Sequence, residues 1–176
     1  VSSTQLRNET AGVIRLGVVG SGRIAARFVA EARYVSGVSV EAVYSRRFES
    51  AKAFAEKLEL EWANETYEDL LKHVDAVYVA TPHATHYDYT KQAIEAGVHV
   101  LCEKPMTLTK AETEGLFELA AQHQVVLLEA VKTAFAPGFQ RMVAVARSGS
   151  IGQVRSVDAT FTKIVRAGRE LEGEDG

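Results

Sequence analysis

The chain has 176 residues, 47% hydrophobic and 24% charged, with a formal net charge of −3; that is ordinary globular composition, and a core of this size needs no metal or disulfide staple. There is no basic footprint for nucleic acid, no apolar run long enough to span a bilayer, and no apolar stretch of a secretion signal in the polar start VSSTQLRNETAG. The lone cysteine, Cys102, cannot form an internal bridge, so a soluble, reducing, cytoplasmic setting is expected.

Residues 1–13 read as a polar extension. After them, short apolar runs alternate with helically spaced segments, the mark of βαβ units and a parallel sheet covered on both faces. Ile14 to Val19 predicts a buried first strand. Ala25, Phe28, Val29, Ala32 and Val35 then recur at helical intervals up to Gly37. Val38 to Tyr44 predicts a second strand, Ser50 to Leu58 a helix, and Glu61 to Ala63 a short third strand. Asn64 or Thr66 caps a brief helix running to Lys72. Ala76 to Ala80 is a fourth strand, stopped at Thr81-Pro82. A helix over His86 to Ala96 and a fifth strand over Val98 to Cys102 follow, the latter closed by Pro105. Thr109 and Glu112 form a capping box for the next helix, and Val125 to Ala130 is a sixth strand. A doubly wound, Rossmann-type α/β domain over residues 14–131 is the fold expected.

Beyond Val131 the rhythm changes. Pro137 opens a helix with Phe139, Met142 and Val143 on its apolar face, and Val154 to Phe161 alternates like a strand. The acidic end, AGRELEGEDG, reads as a loop. One helix and one strand do not make an independent domain, so residues 132–176 are expected to be the crossover and the incomplete start of an α+β second domain.

Between the first strand and first helix, Gly20-Ser21-Gly22-Arg23-Ile24-Ala25 fits G-x-G-x-x-G/A. The first glycine permits the tight turn, the second lets the backbone approach a pyrophosphate, and the small Ala25 lets the helix pack closely. The helix N-terminus then offers N–H groups and a positive dipole end to the phosphates. A carboxylate that would hold the adenosine ribose is absent from the end of the second strand, which reads EAVYSRR. Ser45, Arg46 and Arg47 suit a ribose 2′-phosphate, which favours NADP, with NAD as the alternative if the arginines are only surface charge.

Two more strand ends reach the same sheet edge: ATPHATH (Ala80 to His86) and CEKPMT (Cys102 to Thr107). Lys104 is the candidate for chemistry, because an ammonium beside a nicotinamide can donate to a substrate oxygen; the plain alternative is a surface lysine before a turn.

GSGRIA, AVYSR, ATPHATH and CEKPMT, in this order and spacing, resemble the Gfo/Idh/MocA family, over roughly Ile14 to Phe161. EAVKTAFAPGF and SGSIGQVRSV are similar to its crossover into a second domain. The resemblance implies a Rossmann domain and an antiparallel α+β domain. The activity it implies is hydride transfer between NAD(P) and a carbinol carbon of a sugar, cyclitol or diol. It implies that Lys104 is the active-site lysine, with Glu103 and Pro105 its neighbours, and that Thr81, Pro82, His83 and His86 line the nicotinamide ribose. His83 stands where relatives often carry Asn. Association of the complete protein as a homo-oligomer, through the second domain's sheet, is implied too. Lys132 and Phe135 are candidates for the substrate side, a surface role being the alternative.

Three other readings compete with this one. His83 and His86 form an H-x-x-H pair, but no third ligand stands near in sequence and no metal is expected. A non-catalytic, redox-sensing or regulatory nucleotide module is the alternative from another class. A methyltransferase-like site would require different glycine spacing and an acid where Ser45 stands.

Overall fold

The computed structural model describes residues 12–160 and 162, which fall into two compact units meeting at Ala130 and Val131. The first unit carries a six-stranded parallel sheet in the order β3-β2-β1-β4-β5-β6. Its strands are β1 (Ile14–Val19), β2 (Val38–Tyr44), β3 (Trp62–Asn64), β4 (Ala76–Val79), β5 (His99–Cys102) and β6 (Leu127–Glu129). The helices between them are α1 (Arg23–Ala32), α2 (Phe48–Lys57), α3 (Tyr67–His73), α4 (His86–Glu95) and α5 (Lys110–His123). After β3 the chain crosses back to lay β4 beside β1. In such sheets the ligand crevice lies at this reversal, beyond the carboxyl ends of the strands.

The period-two alternation of the strands divides the core. Val18, Val43 and Tyr78 face α1 and α2, where Ala25, Val29, Ala51 and Phe54 cover them. Val77, Val79, Val100 and Cys102 face the other way, against Leu70 of α3, Ile94 of α4 and Leu116 of α5. Fully burying one such aliphatic side chain stabilises the fold by about 1.5–3 kcal/mol, which is why the central strands are almost continuously apolar. At the opposite edge from the crevice, Arg15 at the start of β1 pairs with Asp75 before β4 at 2.8 Å. Those hydrogen bonds hold the Asp75 carboxyl below its usual range.

Every expected strand from β1 to β6 is present, with ends displaced by no more than a few residues. Thr66, not Asn64, caps α3, accepting from the Asp69 amide at 3.2 Å. The Thr109–Glu112 capping box is complete in both directions. Helix α1 stops at Ala32, short of Val35, which is exposed. Tyr34 and Val35 donate to Glu31 and Ala32, and such i−3 bonds tighten and end a helix. Two elements were unforeseen: a 3₁₀ turn at His83–Thr85 and the short helix α6 (Lys132–Phe135).

The second unit contains α6 and α7 (Pro137–Arg147), with Pro137 in the first turn of α7 as expected. The strand expected over Val154 to Phe161 is corrected: residues 154–160 have no strand geometry, and Phe161 lies outside the described residues. No described segment forms a ladder with them, and a strand without a neighbour is not stable. The acidic end and residues 1–11 of the polar extension also lie outside the described residues.

Candidate functional site

The glycine loop leaves β1 over the ends of both neighbouring strands. Gly20 has φ +111° and donates its amide to Tyr44 O at 2.8 Å. A Cβ at Gly20 would stand 2.5 Å from the Ala80 carbonyl oxygen, so the close approach admits no side chain. Gly22 is the N-cap of α1 and provides no side-chain cap, and the first turn holds no acidic residue. The helix thus keeps its positive end for an anion. Ser21 Oγ donates to Ser45 Oγ at 3.1 Å, tying the loop to the end of β2. Arg46 and Arg47 are exposed beyond it, Arg47 as the N-cap of α2, while Ile24 packs against the α1–α2 side of the core. Arg23 is exposed at the start of α1.

The β4 and β5 ends are knitted together by side chains. Thr85 Oγ1 donates to Pro82 O at 2.7 Å and shares a hydroxyl–hydroxyl hydrogen bond of 2.9 Å with Thr81 Oγ1, closing the turn that leaves Pro82 and His83 exposed. His86 is fully buried, its Nδ1 2.8 Å from Pro105 O and its Nε2 2.8 Å from Thr81 O. One imidazole therefore bridges the chain after β4 and the chain after β5. With both nitrogens turned to backbone carbonyls, His86 supports the edge from within and does not line it. The ring of His83 lies 5.4 Å from that of His86, and among the described residues no three His, Cys, Asp or Glu side chains converge to hold a metal.

Glu103 is buried, accepting from the Tyr78 hydroxyl at 2.6 Å and from its neighbour's amide, Lys104 N, at 3.2 Å. Tyr78 stacks on Phe28, ring centroids 3.8 Å apart, and burial reinforced by Glu103 pushes its phenol well above the usual range. The Tyr78 hydroxyl is thus a fixed donor to Glu103. Lys104 itself is exposed, joined to Pro105 by a cis peptide. On the far side of that turn, Glu129 at the end of β6 accepts from Met106 N at 2.8 Å. Cys102 is a buried β5 residue whose thiol burial pushes up to about 12, which makes it no nucleophile. Lys132 and Phe135 are exposed on α6.

The structure thus gathers Gly20 to Ile24, Ser45, Thr81 and Lys104 along one sheet edge. It also brings forward residues that the sequence does not single out: Tyr78, Glu129, and a cavity of about 320 Å³ beside the end of β2, lined by Tyr44, Tyr67, Glu68, Thr85, Asp88, Tyr89 and Gln92. These last come from four separate elements, β2, α3, the 3₁₀ turn and α4, so no single local motif announces the cavity. Burial, with a hydrogen bond to Tyr44, raises the Tyr89 phenol to about 12, leaving it a neutral donor and acceptor.

Comparison with known proteins agrees with this architecture. A scyllo-inositol 2-dehydrogenase (NADP(+)) of Bacillus subtilis is 35% identical over 151 residues, covering 85% of this chain and 45% of the relative. A dTDP-3,4-didehydro-2,6-dideoxy-alpha-D-glucose 3-reductase of Streptomyces violaceoruber is 38% identical over 157 residues, covering 88% and 46%. Among solved structures, KijD10, a 3-ketoreductase from Actinomadura kijaniata in complex with NADP, superposes with a TM-score of 0.72 at 35% identity, covering 81% of this chain and 46% of that one. The chain spans about half the length of the curated relatives it matches. The family model described as an oxidoreductase family with an NAD-binding Rossmann fold matches residues 14–131, and the chain belongs to this Gfo/Idh/MocA family.

Proposed function

We propose that this chain forms the cofactor-binding part of an NADP-dependent oxidoreductase acting on the carbinol or carbonyl carbon of a sugar, cyclitol or diol. The observation that carries the reading is the placement of exposed Lys104 on the same sheet edge as the Gly20–Ile24 loop. Both project from the carboxyl ends of parallel strands, flanking the reversal between β1 and β4.

The residues present fit a dinucleotide. Gly20, whose Cβ would collide with the Ala80 carbonyl, makes the tight turn that the first glycine of such a loop provides, and Gly22 at the N-cap of α1 leaves the backbone open to a pyrophosphate. The α1 N-terminus supplies amide donors, and Ser45 with Arg46 and Arg47 supplies neutral and cationic donors where other such strands end in a carboxylate. The Tyr44–Tyr89 cavity, adjoining Ser45, offers aromatic walls for a flat base. When bound, the nicotinamide supplies the hydride acceptor or donor. The protein's part is to hold a substrate oxygen at the Lys104 ammonium, which donates to it as charge develops. Thr81, Pro82 and His83 face the nicotinamide ribose, while His86 and Glu103 hold their loops from beneath. The names of the relatives support both the NADP preference and the substrate class. The buried, unbridged Cys102 suits the reducing cytoplasm.

Two measurements test this. In a binding titration Arg46→Ala should weaken NADPH by about 1.5–3 kcal/mol and leave NADH nearly unchanged; equal losses would remove the 2′-phosphate assignment and favour NAD. In the full-length gene product, Lys104→Met should lower turnover on the order of 10²–10⁴ with little change in NADPH affinity. Unaltered turnover would refute the catalytic role, and NADPH binding without turnover on any polyol or sugar would favour the regulatory module.

A further inference from the structure

The Lys104 side chain is exposed and long, so side-chain packing does not hold its ammonium in place. What the fold controls is the backbone from which it springs, and the Lys104–Pro105–Met106 turn is held at successive polar groups. Lys104 N donates to Glu103 Oε2 at 3.2 Å, and Glu103 is itself fixed by the Tyr78 hydroxyl at 2.6 Å. Pro105 O faces His86 Nδ1 at 2.8 Å. Met106 N donates to Glu129 Oε1 at 2.8 Å. Glu129 is the last residue of β6 and pairs in register with Cys102, the last residue of β5. It is thus a carboxylate on the neighbouring strand, level with the point where the lysine turn begins.

A carboxylate there is not what an edge strand needs for packing. Leu127 supplies the buried contact of β6, and an apolar residue at 129 would serve the sheet as well. The acid gives a charge-assisted hydrogen bond to the amide of Met106, a residue only 2% exposed. A buried amide without an acceptor is penalised, so its loss would let the turn shift to find another partner.

We propose that Glu129 is a positioning residue for the Lys104 ammonium, acting through the Met106 amide to fix the backbone of the catalytic turn. This rests on the catalytic reading of Lys104. Displacing a reacting group by an ångström or less costs on the order of 10–100-fold in turnover while leaving remote binding contacts intact.

The test uses the full-length gene product with NADP⁺ and scyllo-inositol or D-xylose as probes, and the hydrogen exchange of the Met106 amide in the free protein. Glu129→Ala should lower kcat about 10–100-fold, change the NADPH Kd by less than about threefold, and accelerate Met106 exchange. Glu129→Gln, which keeps an Oε1 acceptor, should restore kcat to within a few-fold of wild type. Glu129→Leu, which fills the space without an acceptor, should behave as Glu129→Ala and stands in for it should the cavity prevent folding. The proposal is overturned if the acceptor-free variants keep wild-type kcat while Lys104→Met has lost it. It is also overturned if Gln is as damaging as Leu, since the charge and not the acceptor would then matter. Wild-type turnover in Lys104→Met overturns the catalytic reading and this inference with it, an outcome separable from the others by that variant alone.

Discussion

Consider Gly20→Ala. The added Cβ would meet the Ala80 carbonyl oxygen at 2.5 Å and its carbon at 3.0 Å, on a backbone with φ +111°. Neither side can retreat freely. Gly20 N is bonded to Tyr44 O, and Ala80 N to Val19 O, each at 2.8 Å, so relief of the collision strains the β1–β2 and β1–β4 ladders. A positive φ costs an L-residue about 1–2 kcal/mol, and forcing a methyl into a closed site adds about 1–3 kcal/mol. The expected loss is therefore about 2–5 kcal/mol. Gly97→Ala isolates the first part: φ is +76° there, but nothing lies within 4 Å of the new Cβ, so about 1 kcal/mol is expected. Urea unfolding followed by far-ultraviolet circular dichroism compares the variants. With a slope of about 2 kcal/mol/M, the midpoint should fall by roughly 1–2.5 M for Gly20→Ala and by roughly 0.5 M for Gly97→Ala. Equal shifts in the two variants would refute the claim that the Ala80 carbonyl closes the space.

Two further outcomes are expected. Thr109→Ala removes the side-chain half of the α5 capping box and should destabilise the fold by about 1 kcal/mol in the same assay; no change would mean that α5 is held by its Leu116–Ala120 face alone. Cys102, buried with its thiol raised to about 12, should resist a thiol reagent at pH 8 in the native state and react on unfolding. Rapid native labelling would show that the α4–α5 side of the sheet opens readily.

The parallel strands were legible because burial on both faces leaves continuous apolar runs such as Ala76–Val79, and the helices because Thr109 and Glu112 are local signals. The glycine loop was legible for the same reason: strand, turn and helix are consecutive. What escaped was non-local. Glu129 acquires its meaning only when register places it beside Cys102, and Tyr78 only when Glu103 lies across from it. The wall formed by Tyr44 and Tyr89 joins residues from β2 and α4 that no short motif links. Resemblance puts His86 among the residues lining the nicotinamide ribose, yet full burial turns its ring inward, a property decided by packing and invisible to spacing. The alternation over residues 154–160 was real as a pattern, but alternation makes a strand only where a neighbour completes the ladder.

The outer strands of the sheet, β3 and β6, contain three residues each. β3 lies between Glu61 and Glu65, and β6 ends in Glu129. A rim this short, with charge at its ends, offers another chain few main-chain groups to pair with and repels a second copy of itself. The central strands, which are apolar enough to template fibrils, are shielded by these outer ones. The expected consequence is less edge-to-edge pairing during refolding than a longer, uncharged rim would allow. Lengthening β3 by replacing Glu61 and Glu65 with β-branched residues would remove that protection and convert the rim into a seed for cross-strand aggregation.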